Sequence, residues 1–416
     1  MSSEKRQSSV ISDQWAKVRK KLNALLHALW TMHILTERCG HETRTRSRYS
    51  RMMKWRIDRF LYQKKKTVGT RILFLPLYLL SIPYGWAIRL RNALYSSHLL
   101  KTYHLPCPVI SIGNITVGGT GKTPLVMALA KGLQDRGISV SVLSRGYKGE
   151  RASGPVVSDG KTIYLSSKEA GDEPYLMATR LRDTPVLVGR DRFANGRIAL
   201  QRFGTRGILL DDGFQHLRLH RDLNILLIDS TLGFGDRHLL PRGILREPLS
   251  HLRRADLFIL TKVERPEACQ PLESLIQRIH PSAPIFHSYD EALGLAGPHG
   301  EWDNLHLLKG KKVLAFSGIA NPSSFLSLLK KCGMKVIKEA VFPDHYAYTQ
   351  RDIISIEEEG KEADWIVTTE KDLVRLADLK IGPLPIRALR IEMKLREKTL
   401  FPRVMRLFER EGKREE

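Results

Sequence analysis

Along residues 102–290, short unbroken apolar runs alternate with stretches whose apolar residues recur at helical spacing. The runs are Val109–Ile112, Val140–Ser144, Val186–Val188, Gly207–Leu210, Leu223–Ile228 and Leu257–Leu260. A strand that is apolar throughout is covered on both faces, so these runs predict an α/β fold: a mostly parallel sheet with helices on both faces. Ligands of such sheets sit at the carboxyl ends of the strands, which makes the polar residues just after each run the ones to follow. A Gly-rich polar stretch, Gly294–Asn304, interrupts the pattern. Beyond it Lys312–Ser317, Lys335–Ile337 and Trp365–Thr368 read as strands and Pro322–Cys332 as a helix. The division expected is a core over 102–295, a second, smaller α/β domain over 305–402, and a charged tail over 403–416 that frays.

Upstream the pattern changes. Residues 1–68 form a basic extension, with 17 Lys and Arg against 5 Asp and Glu up to Lys66. Within it Trp15, Val18, Leu22, Leu25, Leu26 and Leu29 have helical spacing, and His41–Arg51 has the composition of a disordered segment. The tandem Met52-Met53 offers an alternative start. Residues 69–101 hold an uncharged run, Ile72–Ile88, bracketed by Arg71 and Arg89 and containing Pro76 and Pro83. It is at the short end for a spanning helix. A span would export its basic N-terminal flank, against the positive-inside tendency. The run therefore reads as a helix or helical hairpin lying in the cytoplasmic leaflet, with Tyr78, Tyr84 and Trp86 near the headgroups. A single span and a buried core helix are the alternatives.

The chain of 416 residues carries a formal charge of +24, half of it in the extension. Such a surplus points to an anionic partner: nucleic acid, an acidic membrane or a phosphorylated substrate. Nucleic-acid binding suits residues 1–68 only and is not expected of the core. Cys39, Cys107, Cys269 and Cys332 are scattered, which implies a reducing compartment and neither a disulfide framework nor a zinc site.

The densest chemistry follows the first run of the core. Val109–Ile112 leads into Thr116-Val117-Gly118-Gly119-Thr120-Gly121, and Lys122-Thr123-Pro124 opens an amphipathic helix. Strand, glycine turn and Lys-Thr at a helix start make a phosphate-binding P-loop, in which free amides and the helix dipole attract the anion. Lys122 is placed to reach the β- and γ-phosphates and the Thr123 hydroxyl to ligate Mg2+. The strict pattern has Gly where this chain has Thr116, so the loop is a variant with its glycines shifted to 118 and 119.

Asp211 and Asp212 end the run Gly207–Leu210, where a carboxylate beside a P-loop serves Mg2+; an Asp-Gly turn is the plainer reading. Asp229, after Leu223–Ile228, is a second candidate of lower rank. Arg145, in Ser144-Arg145-Gly146-Tyr147, can pair with phosphate and Tyr147 can pack on a ring. Asp172 and Glu173 begin a helix, where acidic residues often serve only as caps. His345 stands alone. Thr261-Lys262-Val263-Glu264 is a poor match to the base-reading motif of GTPases, leaving ATP as the expected nucleotide.

Taken in order, GNITVGGTGKTP (113–124), SRGYKG (144–149), AGDEP (170–174), DDGFQH (211–216), LPRGILREP (240–248), PDH (343–345) and TEKD (369–372) resemble the tetraacyldisaccharide 4'-kinases of lipid A biosynthesis, from about residue 70 to about 400. That family's loop carries the same shifted glycines. The resemblance implies transfer of the ATP γ-phosphate to the 4'-hydroxyl of a tetraacylated glucosamine disaccharide 1-phosphate, at the cytoplasmic face of the bacterial inner membrane. It further implies that Asp172 accepts the hydroxyl proton, tuned by His345 from the second domain. Thr123, Glu173, Asp211 and Asp212 would then serve Mg2+, with Glu247 a weaker addition, and Gln215 and His216 would lie near the sugar or its phosphates. A membrane-associated P-loop regulatory NTPase of the metallochaperone type is the alternative; it leaves the membrane segment unexplained and lacks a Cys/His delivery cluster.

Overall fold

The computed structural model describes residues 74–146, 154–298, 300–382 and 385–412, so the expectations for residues 1–68 and for Tyr147 fall outside it. In chain order the described elements are α1 (Leu75–Ser96), β1 (Val109–Gly113), α2 (Lys122–Gln134), β2 (Val140–Ser144), β3 (Val156–Ser158), α3 (Ser167–Ala170), α4 (Asp172–Arg180), β4 (Val186–Val188), α5 (Arg192–Phe203), β5 (Gly207–Asp211), β6 (Leu223–Asp229), β7 (Leu257–Thr261) and α6 (Gln270–Ile279). The chain continues through β8 (Ile285–Ala296), β9 (Trp302–Asp303), β10 (Lys312–Ser317), α7 (Pro322–Lys331), β11 (Lys335–Val341), α8 (Gln350–Glu359), β12 (Trp365–Thr369), α9 (Glu370–Arg375), β13 (Ile386–Leu395) and α10 (Leu400–Gly412).

The strands form one sheet in the order β11-β10-β12-β13-β8-β7-β6-β1-β5-β2-β4-β3, with β9 paired to β8. Its two halves meet along one long strand. Ile285–His287 of β8 pairs parallel with β7, and Ser288–Ala296 pairs antiparallel with β13. Every residue of β1, β2, β5 and β7 is buried, as expected of parallel strands covered on both sides. Edge strand β11 instead exposes Lys335, Lys338 and Glu339, charges that discourage pairing with another chain.

The chain divides into two compact units. The described part of the smaller comprises residues 74–87 and 235–245. Within it Tyr78 packs edge-on to His238 and lies under the Arg242 guanidinium. The larger comprises residues 88–234 and 246–416 and contains the whole sheet. The expected boundary near 295–305 thus falls inside one unit, because β8 and β13 join the two sets of strands.

The expected frayed tail is a correction. Residues 403–412 belong to α10, where Val404 and Phe408 are buried in the core that α2 shares. The charged residues in this stretch masked an apolar stripe of helical period. Gly132 and Gly207 make room for it: a Cβ at either would meet the Phe401 or Phe408 ring within 2.5 Å.

His287 ties α6 to the segment after β13. Its Nδ1 is 2.6 Å from Glu397 and its Nε2 is 2.8 Å from Glu273. Burial lowers the imidazole pKa, but hydrogen bonds to the two carboxylates outweigh it and the net shift is upward. A raised pKa stabilises the fold fully below the unfolded value of about 6.5 and loses that contribution as pH rises through the folded value. Melting temperature should therefore fall as pH is raised from about 6 through that higher value. His287→Asn should remove this part of the slope; an unchanged slope would show that the clasp carries no linkage.

Candidate functional site

The site lies at the carboxyl ends of β1, β5 and β2. β1 is flanked by β5 and β6, and the following connections run to opposite sides, which opens a crevice at the strand ends. The loop after β1 is anchored from three sides. Asn114 donates to Thr120 Oγ1 (3.0 Å), Thr261 Oγ1 to the Thr120 carbonyl (3.0 Å) and Lys262 Nζ to the Gly119 carbonyl (3.0 Å). In a trans peptide the N–H points opposite to the C=O, so holding these two carbonyls turns the amides of Thr120 and Gly121 the other way. Gly121 has φ 84°, left-handed backbone that favours glycine. Thr116, where the strict pattern has Gly, is buried.

Lys262 explains the TKVE stretch. Its ammonium is shared between Gly119 and Asp229 Oδ2 (2.6 Å), so it braces the loop. Asp229 also accepts from the Thr231 amide and hydroxyl, and is accordingly spent on its own turn.

Asp211 ends β5 and is buried. Ser144 Oγ, from the end of β2, donates to its Oδ2 (2.9 Å), while its Oδ1 has no hydrogen-bond partner. Burial and the charges of Glu173 and Asp212 push its pKa up to about 6. A buried carboxylate oxygen without a partner costs ~1–3 kcal/mol or more, and a cation removes that cost. Asp211 and the buried Thr123 hydroxyl are hard oxygen donors of the type Mg2+ takes, so the residues fit that ion. Among the described residues no three His, Cys, Asp or Glu side chains are grouped to hold a metal by themselves.

Asp212 sits on left-handed backbone (φ 50°) and is 3.5 Å from Lys122 and 3.0 Å from Arg246. Burial raises its pKa, but the charges of Lys122, Arg246 and Arg192 prevail and hold it well below the carboxylate range. Buried Arg192 supports the turn by donating to the carbonyls of Asp211 (2.8 Å) and Asp212 (3.2 Å).

Asp172 and Glu173 open α4, yet neither caps it: the N-cap is Gly171, with no side-chain cap bond. Both instead face the other half of the sheet. Asp172 Oδ2 accepts from Arg375 Nε (2.7 Å) and lies 3.1 Å from His345 Nδ1. Burial raises the Asp172 pKa, but the His345 hydrogen bond and the Arg375 charge bring it below its ordinary value. Glu173 pairs with Lys371, and the Lys122 charge also acts on it. The structure thus brings Lys122, Asp172, Glu173, Asp211, Asp212 and His345 into one connected cluster. His345 is on left-handed backbone (φ 55°), a conformation often retained at functional sites.

The remaining candidates serve other purposes or lie at the rim. The Gln215 side chain donates to the Asn114 carbonyl (2.9 Å) at the start of the loop. Burial and the nearby Arg192, Arg221 and Arg91 charges lower His216 to about 4, so it is a neutral imidazole at pH 7. Arg145 is exposed directly after β2. Glu247 is buried between His251 and Arg254, each at 2.6 Å. Sequence reasoning missed Arg192, Arg246, Lys371 and Arg375. Arg246 and Lys371 lie inside motifs that had been singled out, whereas Arg192 and Arg375 carried no local signal.

A P-loop, a carboxylate pair at the adjacent strand end and an ion-paired Asp across the crevice define a P-loop phosphotransferase. The comparisons narrow the class. The family model for Tetraacyldisaccharide-1-P 4'-kinase matches residues 73–409. A tetraacyldisaccharide 4'-kinase of Desulfatibacillum aliphaticivorans is 44% identical over 328 residues, covering 78% of this chain and 89% of that protein. One from Geobacter sulfurreducens is 42% identical over 319 residues, covering 76% and 88%. The crystal structure of LpxK from Aquifex aeolicus in complex with ATP is similar at a TM-score of 0.65 and 38% identity, covering 82% of this chain and 99% of that one. The chain belongs to the tetraacyldisaccharide 4'-kinase family, ATP-dependent kinases of lipid A biosynthesis. The regulatory-NTPase alternative is set aside.

Proposed function

We propose that this kinase transfers the ATP γ-phosphate to the 4'-hydroxyl of a tetraacylated glucosamine disaccharide 1-phosphate, and that Asp172 accepts the proton of that hydroxyl. What supports the reading most is the Asp172 carboxylate, tethered through one oxygen and joined through Glu173 to the Lys122 cluster. Phosphoryl transfer needs alignment and charge neutralisation more than covalent help. Residues Thr116–Gly121 bind the phosphates through backbone amides, and Lys122 moves its charge from Asp212 onto them. Arg246 stays on Asp212 when Lys122 leaves. Thr123 and Asp211 would hold Mg2+, with Glu173 and Asp212 beside them, and the ion would supply charge neutralisation to the phosphates. Asp172 orients the sugar hydroxyl and takes its proton as the new P–O bond forms and the bond from the γ-phosphorus to the β,γ-bridging oxygen breaks, ADP being the leaving group. In a loose transition state the hydroxyl loses its proton late, so a carboxylate of low basicity is adequate. Arg145, exposed at the end of β2, is available to pair with a phosphate of the substrates.

The test is an assay of the full chain with γ-labelled ATP and the tetraacyl disaccharide 1-phosphate, the product being separated by thin-layer chromatography. Label in the lipid is expected. ATP binding without transfer to this acceptor would overturn the reading.

The substrate is a lipid, and α1 suits a bilayer surface at the cytoplasmic face of the inner membrane. It is one helix with Pro83 inside, and no helix among the described residues is long and apolar enough to cross a membrane. Leu75, Leu79, Leu80, Ile82, Trp86 and Leu90 are all exposed, with Trp86 at 68%. Such a helix lies in the interface with its apolar residues among the acyl chains. Leu79→Glu/Leu80→Glu should reduce co-sedimentation with anionic phospholipid vesicles at least about tenfold while leaving ATP affinity intact. Unchanged sedimentation would remove α1 as the anchor.

A further inference from the structure

The short helix α9 grips both ends of α4. Near its start, Glu370 pairs with Arg180 in the last turn of α4 (2.6 Å) and also with Arg390. Lys371 pairs with Glu173 in the first turn. At its end, Arg375 reaches Asp172.

Arg375 is the best-anchored of these side chains. Its side chain is 5% exposed, and both Nε and NH1 of the guanidinium are engaged. NH1 donates to Asp372 Oδ1 (2.7 Å) and to the Gly318 carbonyl (2.9 Å). Nε donates to Asp172 Oδ2 (2.7 Å), and NH2 lies 3.3 Å from His345 Nδ1. The anchor is itself fixed. Fully buried Asp372 also accepts from the Gly318 amide (3.1 Å), Tyr348 OH (3.0 Å) and Thr369 Oγ1 (2.7 Å). The Gly318 carbonyl that holds Arg375 also accepts from the His345 amide (3.1 Å). The Arg375 fork and the His345 backbone therefore share one support.

Both polar partners of Asp172 converge on Oδ2, and neither engages Oδ1. We propose that Arg375 is a positioning residue for phosphoryl transfer: it pins Asp172 by Oδ2, fixing the rotation of the carboxylate so that Oδ1 is the oxygen presented to the acceptor hydroxyl. This rests on Asp172 being the proton acceptor. The planar fork is needed because one group must hold Asp372, the Gly318 carbonyl and Asp172 at fixed mutual angles. A lysine has a single nitrogen, so it can satisfy the anchor or Asp172 but cannot set the angle between them.

The test uses the full chain as wild type, Arg375→Lys, Asp172→Ala and the double variant, with kcat, KM for ATP and melting temperature measured for each. Arg375→Lys is expected to lower kcat about thirtyfold, as a misaligned reacting group does, with KM for ATP changed less than about threefold. In the Asp172→Ala background the same substitution should change the residual rate less than about twofold, since its effect passes through Asp172. A merely structural arginine would give a similar loss in both backgrounds, or a lower melting temperature with kcat unchanged, and either result overturns the proposal. Should Arg375→Lys not fold, Arg375→Gln is read by the same criteria; if neither folds while Asp172→Ala does, Arg375 is structural and the proposal fails. Near-normal turnover of Asp172→Ala would instead sink the proton-acceptor reading. A strong loss there with Arg375→Lys at wild-type kcat would sink this inference alone.

Discussion

Asp172→Ala should lower turnover by about 10²–10⁴-fold, the usual contribution of a positioned acid–base group, with ATP affinity within about threefold of wild type. The phosphates are expected on the β1–α2 loop, whose anchors are Asn114, Thr261 and Lys262, and none of these touches Asp172. The fold should survive, because Arg375 keeps Asp372 and the Gly318 carbonyl. Asp172→Asn should be about as slow as Ala: it keeps the shape and can still accept from Arg375, but it cannot take a proton. His345→Ala should cost less, about tenfold, since Arg375 continues to hold Oδ2. Steady-state assays with equilibrium ATP binding check all three. Turnover of Asp172→Ala within threefold of wild type would remove the carboxylate from the chemistry.

The local parts of this arrangement were legible in the sequence, and the long-range parts were not. Fully apolar strands and a Gly-Lys-Thr helix start announce themselves within twenty residues, because backbone pairing and amide geometry impose local patterns. Asp211 and Asp212 were legible for the same reason, as a run followed by two charges. Residues recruited across the crevice leave no such trace. Arg375 looks like an ordinary charge in the last turn of a helix, and only the β8–β13 junction makes it face Asp172. The helix start at Asp172 suggested capping, a reading local rules favour, but Gly171 with φ 90° holds the N-cap and leaves both carboxylates for partners 173 to 203 residues away. The stretch expected to be a linker between two domains was also not legible as a strand. Gly294 reads as a linker, yet it is a strand residue whose missing Cβ makes room for Trp302. The motif resemblance supplied roles for Asp172 and His345 that neither charge nor spacing could supply.

Lys122→Met should lower kcat/KM by at least about 10³-fold and weaken ATP binding at least about tenfold. Lys122 is 11% exposed and acts on three carboxylates at once: Asp212, Glu173 and Asp211. Without its charge, an incoming triphosphate meets those carboxylates with less compensation. Two explanations of the loss make different forecasts. If Lys122 only neutralised Asp212, then Lys122→Met/Asp212→Asn would recover most of the ATP affinity, because the charge needing compensation would be gone. If Lys122 holds phosphate, the double variant stays as weak as the single one. The geometry favours the second outcome. Arg246 approaches both Asp212 oxygens, at 3.0 and 3.2 Å, against 3.5 Å for Lys122, so Asp212 keeps a closer cation when Lys122 turns to the nucleotide. Calorimetric ATP titration of the two variants separates the cases, and recovery in the double variant would reduce Lys122 to a local counter-charge.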